Sequence, residues 1–334
     1  MRILVVGGAG YIGSHTVRRL AQVGHDVWVY DNLSVGHEAA VPPGRLIVGD
    51  LADPAALEAA LRDHQIDAVM HFAAFTSVPE SVAMPARYYR NNVVGALNLL
   101  DTMRAVGVNR IVFSSTAATY GVPDQIPIPE ESPARPINPY GFTKLAIEHA
   151  MADYALAYGL GFAVLRYFNA CGASADASIG EDHTPETHLI PIILQVALGQ
   201  REHVAVFGTD YPTADGTCVR DYIHVEDLAE AHLRVLARIE PGKGLTYNVA
   251  TGVGYSVRQV IETARKVTHH PIPVVERARR PGDPPVLIAS SQAIQRDLGW
   301  SPRYPSIEAI IESAWRWHSS HPKGYGDPPR SPLA

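Results

Sequence analysis

Apolar residues in this chain fall into short β-branched runs separated by longer stretches of helical period. Arg2–Val6 is too short for a helix and suits a strand buried on both faces. A glycine-rich stretch, residues 7–13, follows at once, and residues 14–23 then read as a helix. Residues 25–30 form a second apolar run with Asp31 at its end. Further strand-like runs at 45–48, 68–72, 110–114 and 163–167 alternate with helical stretches, the longest at 87–105 and 140–158. This alternation predicts an α/β fold, a parallel sheet wound on both faces. Residues 122–139 carry six prolines and cannot be helical, so they should form a loop that covers something. Beyond Asn169 the pattern changes: 172–185 is small and polar, 191–198 is helical, and 204–207 is a short strand before a turn at 208–212.

The opening order of strand, glycine loop, helix, strand and acid is the first half of a dinucleotide-binding fold, Rossmann-like in form. Gly7, Gly10 and Gly13 let the chain turn tightly, approach a pyrophosphate and pack the helix on the sheet. The helix N-terminus offers free N–H groups and partial positive charge to phosphates. Asp31 would accept hydrogen bonds from both hydroxyls of the adenine-side ribose and repel a 2′-phosphate. Asn32 and Leu33 follow it, not arginine, so NAD is favoured over NADP. Asp50 and Leu51 lie just past the third run, at a carboxyl strand end where ligands of open α/β sheets bind; Asp50 capping a helix is the alternative. Phe72, Ala73 and Ala74 close the fourth run, and small residues there let backbone lie against a cofactor. The expected organisation is an NAD-binding domain at 1–170 with chain returns at about 220–250. A smaller C-terminal α/β substrate lobe would take 171–219 and 251–320, with a flexible tail at 321–334.

The 334 residues suffice for such a domain plus a lobe. With 46% apolar and 19% charged residues the composition is that of an ordinary globular protein. The formal net charge of −6, with no basic run, argues against a nucleic-acid partner. A core strand beginning at residue 2 leaves no room for a signal peptide, and no apolar stretch reaches membrane length. A cytoplasmic protein is expected, with Cys171 and Cys218 as small reduced side chains. The fifteen histidines are scattered, zinc-type spacing is missing, and no metal site is expected.

Tyr140 and Lys144 stand at i and i+4 on the second long helix, so an ammonium can lie beside a phenol. A tyrosine near pKa 10 must fall by about three units to act as a base at neutral pH, roughly 4 kcal/mol. One cation about 4 Å away supplies about that much at an effective dielectric near 20. Desolvation of the phenolate opposes it, so an oxidised nicotinamide is needed as a second positive charge. Ser114, Ser115 and Thr116 close the strand at the same sheet edge, where a hydroxyl can hydrogen-bond the substrate oxygen that Tyr140 deprotonates.

Gly7-x-x-Gly10-x-x-Gly13 with Tyr140 and Lys144 resembles the short-chain dehydrogenase/reductases, specifically the extended ones, and most closely the UDP-hexose 4-epimerase family. The resemblance runs from residue 1 to about 318. It is carried by 7–17 (GGAGYIGSHTV), 31–33, 88–95 (YYRNNVVG), 138–144 (NPYGFTK), 165–169 (LRYFN), 207–213 (FGTDYPT) and 219–225 (VRDYIHV). For NAD it implies contacts from Tyr11 and Ile12 at the pyrophosphate, Asp31, Asn32, Leu33, Ser34 and Gly36 at the ribose, and Asp50 and Leu51 at the adenine. Phe72 to Thr76, Asn91, Lys144 and Phe168 would line the rest. For a UDP-sugar it implies Thr116, Tyr140, Asn169, His188, Leu189, Ala205, Val206, Phe207, Arg220, Arg280 and Asp283. Two arginines suit a diphosphate, and an aspartate suits a ribose diol. The implied reaction is transient oxidation at carbon 4, with Tyr140 taking the hydroxyl proton and NAD retained as a prosthetic group in a homodimer.

Three positions depart from the commoner pattern: Thr116 replaces a serine, Thr76 stands where many relatives carry lysine, and Leu287 where narrower-specificity relatives carry tyrosine. Related dehydratases place two acids after the threonine to expel water; here Ala117 and Ala118 follow, and methyls cannot transfer protons. UDP-glucuronate-type epimerases or decarboxylases, and a catalytically silent NAD-sensing protein on the same fold, are the alternatives.

Overall fold

The computed structural model describes residues 1–280 and 283–326. Strand β1 (Arg2–Val6) runs through the glycine loop into helix α1 (Tyr11–Gln22), then β2 (Asp26–Asp31), β3 (Leu46–Val48), α2 (Pro54–Asp63) and β4 (Ala68–His71). Helix α1 starts three residues earlier than the apolar period predicts. Gly10 is extended (φ −77°, ψ 173°) and serves as N-cap, so the last glycine of the loop already lies inside the helix.

Helices α3 (Val78–Ala83) and α4 (Pro85–Tyr88) lead into a π-helical turn at Tyr89–Val94 and then α5 (Gly95–Val106). The expected uninterrupted helix at 87–105 is therefore corrected: the widened turn sits in its first half. Asn92 explains it, since its side chain accepts from Phe75 N (2.9 Å) and donates to Phe75 O (3.1 Å) and Thr143 Oγ1 (3.2 Å). These bonds draw the helix against the loop after β4, and π-turns of this kind recur at functional sites.

Strand β5 (Arg110–Ser114), helix α6 (Pro139–Tyr158), strand β6 (Gly161–Arg166) and strand β7 (Asn169–Cys171) follow. Next come α7 (Leu189–Ala197), β8 (Val204–Phe207), β9 (Val219–His224), α8 (Val225–Leu236) and β10 (Gly244–Asn248). The chain continues through β11 (Gly254–Ser256), α9 (Val257–Thr268), β12 (Val274–Arg277), β13 (Val286–Leu287), α10 (Gln292–Leu298) and α11 (Ile307–Ser320).

Seven parallel strands form the main sheet in the order β10-β6-β5-β4-β1-β2-β3. One face buries Leu20, Leu228, Val235 and Trp300, and the other Leu57, Leu99, Met103, Ile147 and Met151. Strand order reverses between β1 and β4, so the crevice at their carboxyl ends is the switch point at which such sheets bind ligands. A second assembly joins β7, β9, β11 and β13 and the pair β8/β12 around Ile193, Leu194, Val206, Ile261 and Ile311. No helix of the described residues is long and apolar enough to cross a membrane.

The tail expected to be flexible from 321 onward is corrected for 321–326; residues 327–334 lie outside the described residues. Tyr325 donates to Gly180 O (3.2 Å), stacks on His37 and packs at a tilt against Trp317, and its N–H reaches Asp182 Oδ2 (2.9 Å). Proline and glycine richness signals a lack of regular structure, not a lack of packing partners.

Candidate functional site

The glycine loop and the loop after β4 meet tightly at the switch point. Gly7 has φ +80°, and a Cβ on it would lie 2.4 Å from Ala73 N; one on Gly13 would lie 2.2 Å from Gly7 O. Gly10 differs, because a Cβ there would meet nothing nearer than Gly7 O at 3.4 Å. The protein itself does not require glycine at this position, so the space it leaves suits an approaching ligand. No side chain caps α1, which leaves the N–H groups of its first turn, at Tyr11 and Ile12, for an anion.

Asp31 is buried at the end of β2, where its carboxylate accepts from Ala9 N (3.0 Å) and Leu33 N (2.8 Å). Burial pushes its pKa up, and these two donors pull it back. Gly36 lies against Ala9, and Ser34 N donates to Asn32 Oδ1 (3.0 Å). Asp50 accepts from Asn32 Nδ2 (2.7 Å) and Ala52 N (2.8 Å), tying the end of β2 to that of β3. The cap of α2 is Asp53, which accepts from Ala55 N and Ala56 N, so the capping alternative for Asp50 does not hold. Leu51 packs beside Gly95, and Phe72 against His232. Phe72 N and Ala73 N both donate to Val6 O, which brings them and Ala74 beside the glycine loop. Asn91 donates to Asn92 (2.9 Å), while Thr76 is exposed.

Asn138 caps α6 through Gly141 N (2.9 Å) and places Tyr140 in the first turn, with Lys144 one turn further in. Burial pushes the Tyr140 phenol up to about 12, and a hydrogen bond with Thr116 draws it down. Lys144 is driven down to about 7 by burial, opposed by the negative charge of Glu148. Its Nζ donates to Ser114 O (2.9 Å) and lies 4.8 Å above the Phe113 ring. The anticipated lowering of the phenol does not appear in the protein alone, because burial penalises the charged forms of both groups.

Glu148, the next residue along the Tyr140–Lys144 face, accepts from Ser115 Oγ (2.5 Å), Arg166 Nε (3.1 Å) and Arg166 Nη2 (2.5 Å). Sequence reasoning missed Glu148, Arg166 and the anchoring role of Asn92. The signal for Glu148 was its i+4 spacing from Lys144; the arginine lies inside the LRYFN stretch.

On the substrate side the proline-rich loop is pinned by Ile128, fully buried, which exchanges backbone bonds with Ile288 O and Ser290 N. Ile128 packs with Ala117 and Tyr120, and Phe168 and Leu287 lie against that cluster. Leu287 pairs in register with Arg220. Arg220 and Asp283 form an ion pair, and Arg280 lies 4.0 Å above the Phe207 ring. These four residues therefore share one end of the second assembly, beside Ala205 and buried Val206 of β8. Asp221 does not pair with its neighbour Arg220. Its carboxylate accepts from Thr251 N (3.0 Å) and Gly252 N (3.0 Å), and burial pushes it up to about 6. Asn169 donates to Asp221 O (3.0 Å), and His188 holds the N-cap position of α7 just before Leu189, without a side-chain bond to the helix. Cys171 and Cys218 are buried free thiols.

Residues 3–250 match the NAD dependent epimerase/dehydratase family. The chain is 55% identical over 326 residues to a UDP-glucose 4-epimerase of Halalkalibacterium halodurans, covering 97% of this chain and 98% of that one. It is 54% identical over 331 residues to a UDP-glucose 4-epimerase of Streptococcus mutans, covering 98% and 99%. Its fold is similar to a UDP-glucose 4-epimerase from Bifidobacterium longum solved in complex with NAD+ and UDP. That likeness has a TM-score of 0.94 and 39% identity, over 97% of this chain and all of that one (100%).

Proposed function

The chain belongs to the NAD dependent epimerase/dehydratase family, and from that premise we propose that it interconverts UDP-galactose and UDP-glucose by inverting carbon 4 of the hexose. The observation that carries this reading is the convergence of Thr116, Tyr140 and Lys144 at the sheet edge, with Ala117 and Ala118 where a dehydratase needs acids.

The cofactor is NAD, held by the glycine loop, the first turn of α1 and Asp31, with Asn32 to Gly36, Asp50, Leu51, the loop after β4, Asn91 and Phe168 around it. When bound, it supplies a hydride acceptor and donor for carbon 4 and a positive charge near the phenol. Tyr140 Oη takes the proton of the 4-hydroxyl and gives it back after the hexose has presented its opposite face. Thr116 Oγ1 holds that same substrate oxygen by hydrogen bonding. Lys144 in its protonated form contributes positive charge to the phenolate, and the negative charge of Glu148 favours that form against burial. Arg220 and Arg280 grip the diphosphate while the sugar turns, with Asp283 at the ribose and Asn169, His188, Leu189 and Ala205 to Phe207 lining the rest. A carboxylate at Asp31 has no place for a 2′-phosphate.

Protein purified without added nucleotide is expected to turn over UDP-galactose with no NAD supplied, and to release near-stoichiometric NAD or NADH on denaturation. Dependence on added NADP, or turnover of UDP-glucuronate in place of UDP-galactose, overturns the reading.

Sugar breadth turns on Leu287, which, like Phe168, packs against the cluster of Ala117, Tyr120 and Ile128 next to Thr116. A tyrosine at this wall would crowd a 2-acetamido group; leucine leaves space, though less than a cysteine, serine or glycine would. UDP-galactose and UDP-glucose are the preferred pair, with slower turnover of the N-acetylated pair. Leu287→Tyr is expected to raise the kcat/KM ratio of the plain over the acetylated pair by about 10-fold, within the 10–200-fold range that pocket size provides. An unchanged ratio removes Leu287 as the gate.

The protein acts in the cytoplasm as a homodimer joined through α5 and α6. Supporting this, α6 leaves Leu156 90% exposed and Phe142 51% exposed, large apolar surfaces for a helix facing water.

A further inference from the structure

Between β7 and α7 the chain reads Gly-Glu-Asp-His-Thr-Pro-Glu-Thr-His, and the fold gathers Glu181, His183, Glu186 and His188 from it. One donor atom from each lies within 4.8 Å of all the others. His183 Nδ1 stands 3.4 Å from Glu181 Oε1 and 3.6 Å from Glu186 Oε2. His188 Nδ1 stands 2.9 Å from Glu181 Oε1 and 3.2 Å from Glu186 Oε1. A tetrahedral ion with bonds of about 2.0–2.1 Å has ligand–ligand edges of about 3.3 Å. Glu181 Oε1 stands 2.9 and 3.4 Å from the two imidazoles, and Glu186 offers a different oxygen to each, at 3.2 and 3.6 Å; all four separations are of the order of that edge.

Two further observations point to a cation. His183 Nδ1 is shielded from water and has no hydrogen-bond partner, although it faces both carboxylates. Glu181 and Glu186 have side chains only 4% and 2% exposed, and no lysine or arginine pairs with either among the described residues. Two buried carboxylates with no fixed positive partner are costly unless protons or a metal compensate them.

We propose that Glu181, His183, Glu186 and His188 form a structural site for a zinc-class divalent cation. Its N₂O₂ donor set is complete at four, with no thiolate, which suits zinc and gives no open catalytic position. Two histidines five residues apart are uninformative in sequence; the cluster forms only when the intervening turn brings both ring nitrogens onto the same carboxylates. The ion would lock the segment where three helices meet. Tyr11 of α1 sits edge-on to His183 and donates to Gly172 O (2.6 Å). Trp317 of α11 donates to Glu181 O (3.3 Å), and His188 stands at the N-cap position of α7. The imidazoles bind a cation in their neutral form, so uptake should weaken as the pH falls.

The test uses tag-free, full-length protein, stripped with a chelator and dialysed against Zn²⁺ or Co²⁺. One equivalent per chain at micromolar metal is expected, with the intense visible bands of four-coordinate cobalt and a rise in Tm of about 3–5 °C at saturating zinc. His183→Gln, at a partly exposed side chain, keeps the fold and should weaken zinc binding at least about 100-fold and abolish the Tm rise. Glu186→Gln is the second variant, its amide still able to accept from Thr187 N and His188 N. Failure of the stripped wild type to take up either metal overturns the site. So does uptake that both variants retain, since the metal is then bound elsewhere.

Discussion

Tyr140→Phe is expected to lower kcat with UDP-galactose by about 10²–10⁴-fold while NAD content and fold persist. No neighbour in the site can replace the phenol. Thr116 is a neutral hydroxyl, and Lys144 Nζ is committed to Ser114 O at 2.9 Å. The ring remains in the variant, so packing is kept. Single-turnover and steady-state rates, measured on variant protein whose NAD content has been assayed, separate chemistry from cofactor loss. A variant retaining more than about a tenth of wild-type turnover removes Tyr140 from the proton-transfer role.

The second large effect concerns two glycines of one loop that should fail in different ways. Gly13→Ala places a methyl 2.2 Å from Gly7 O and 2.8 Å from Gly8 Cα, both backbone, so the loop and the start of α1 must separate. Overpacking of this kind costs about 1–3 kcal/mol, and the displaced loop should bind less than about a tenth of the wild-type NAD. Gly10→Ala meets nothing closer than 3.4 Å, so the apoprotein should melt as wild type does. Its methyl enters space assigned to the pyrophosphate, and NAD should be lost all the same. Tm of the nucleotide-free proteins, set beside NAD released on denaturation, reads the two effects independently. If Gly10→Ala keeps stoichiometric NAD, the pyrophosphate does not lie over that residue.

Local pattern carried much of the architecture. The boundaries of β1 to β6 follow the apolar runs to within two residues, because a strand buried on both faces must be apolar throughout; the edge strand β10, half-buried and partly polar, gave no such run. The order of glycine loop, helix and Asp31 was readable for the same reason, and so were Tyr140 and Lys144. Backbone geometry restricts which residues fit a tight turn, and helical period alone puts i and i+4 on one face.

Contacts between distant segments decided the rest. The π-turn at Tyr89–Val94 exists because Asn92 is bonded to Phe75 and Thr143, residues no local period relates to it. Arg220 finds Asp283 and leaves adjacent Asp221 to cap a turn, since neighbours along a strand point to opposite faces. The residues behind Lys144, namely Glu148, Ser115 and Arg166, assemble only when α6 packs across β5 and β6. Charge states belong to this second category as well. The same tyrosine and lysine that spacing makes an acid–base pair are moved to about 12 and about 7 by the water they lose on folding. Sequence determines which ionisable groups are neighbours on an element; desolvation depends on every surface that closes over them, and only the tertiary structure specifies those.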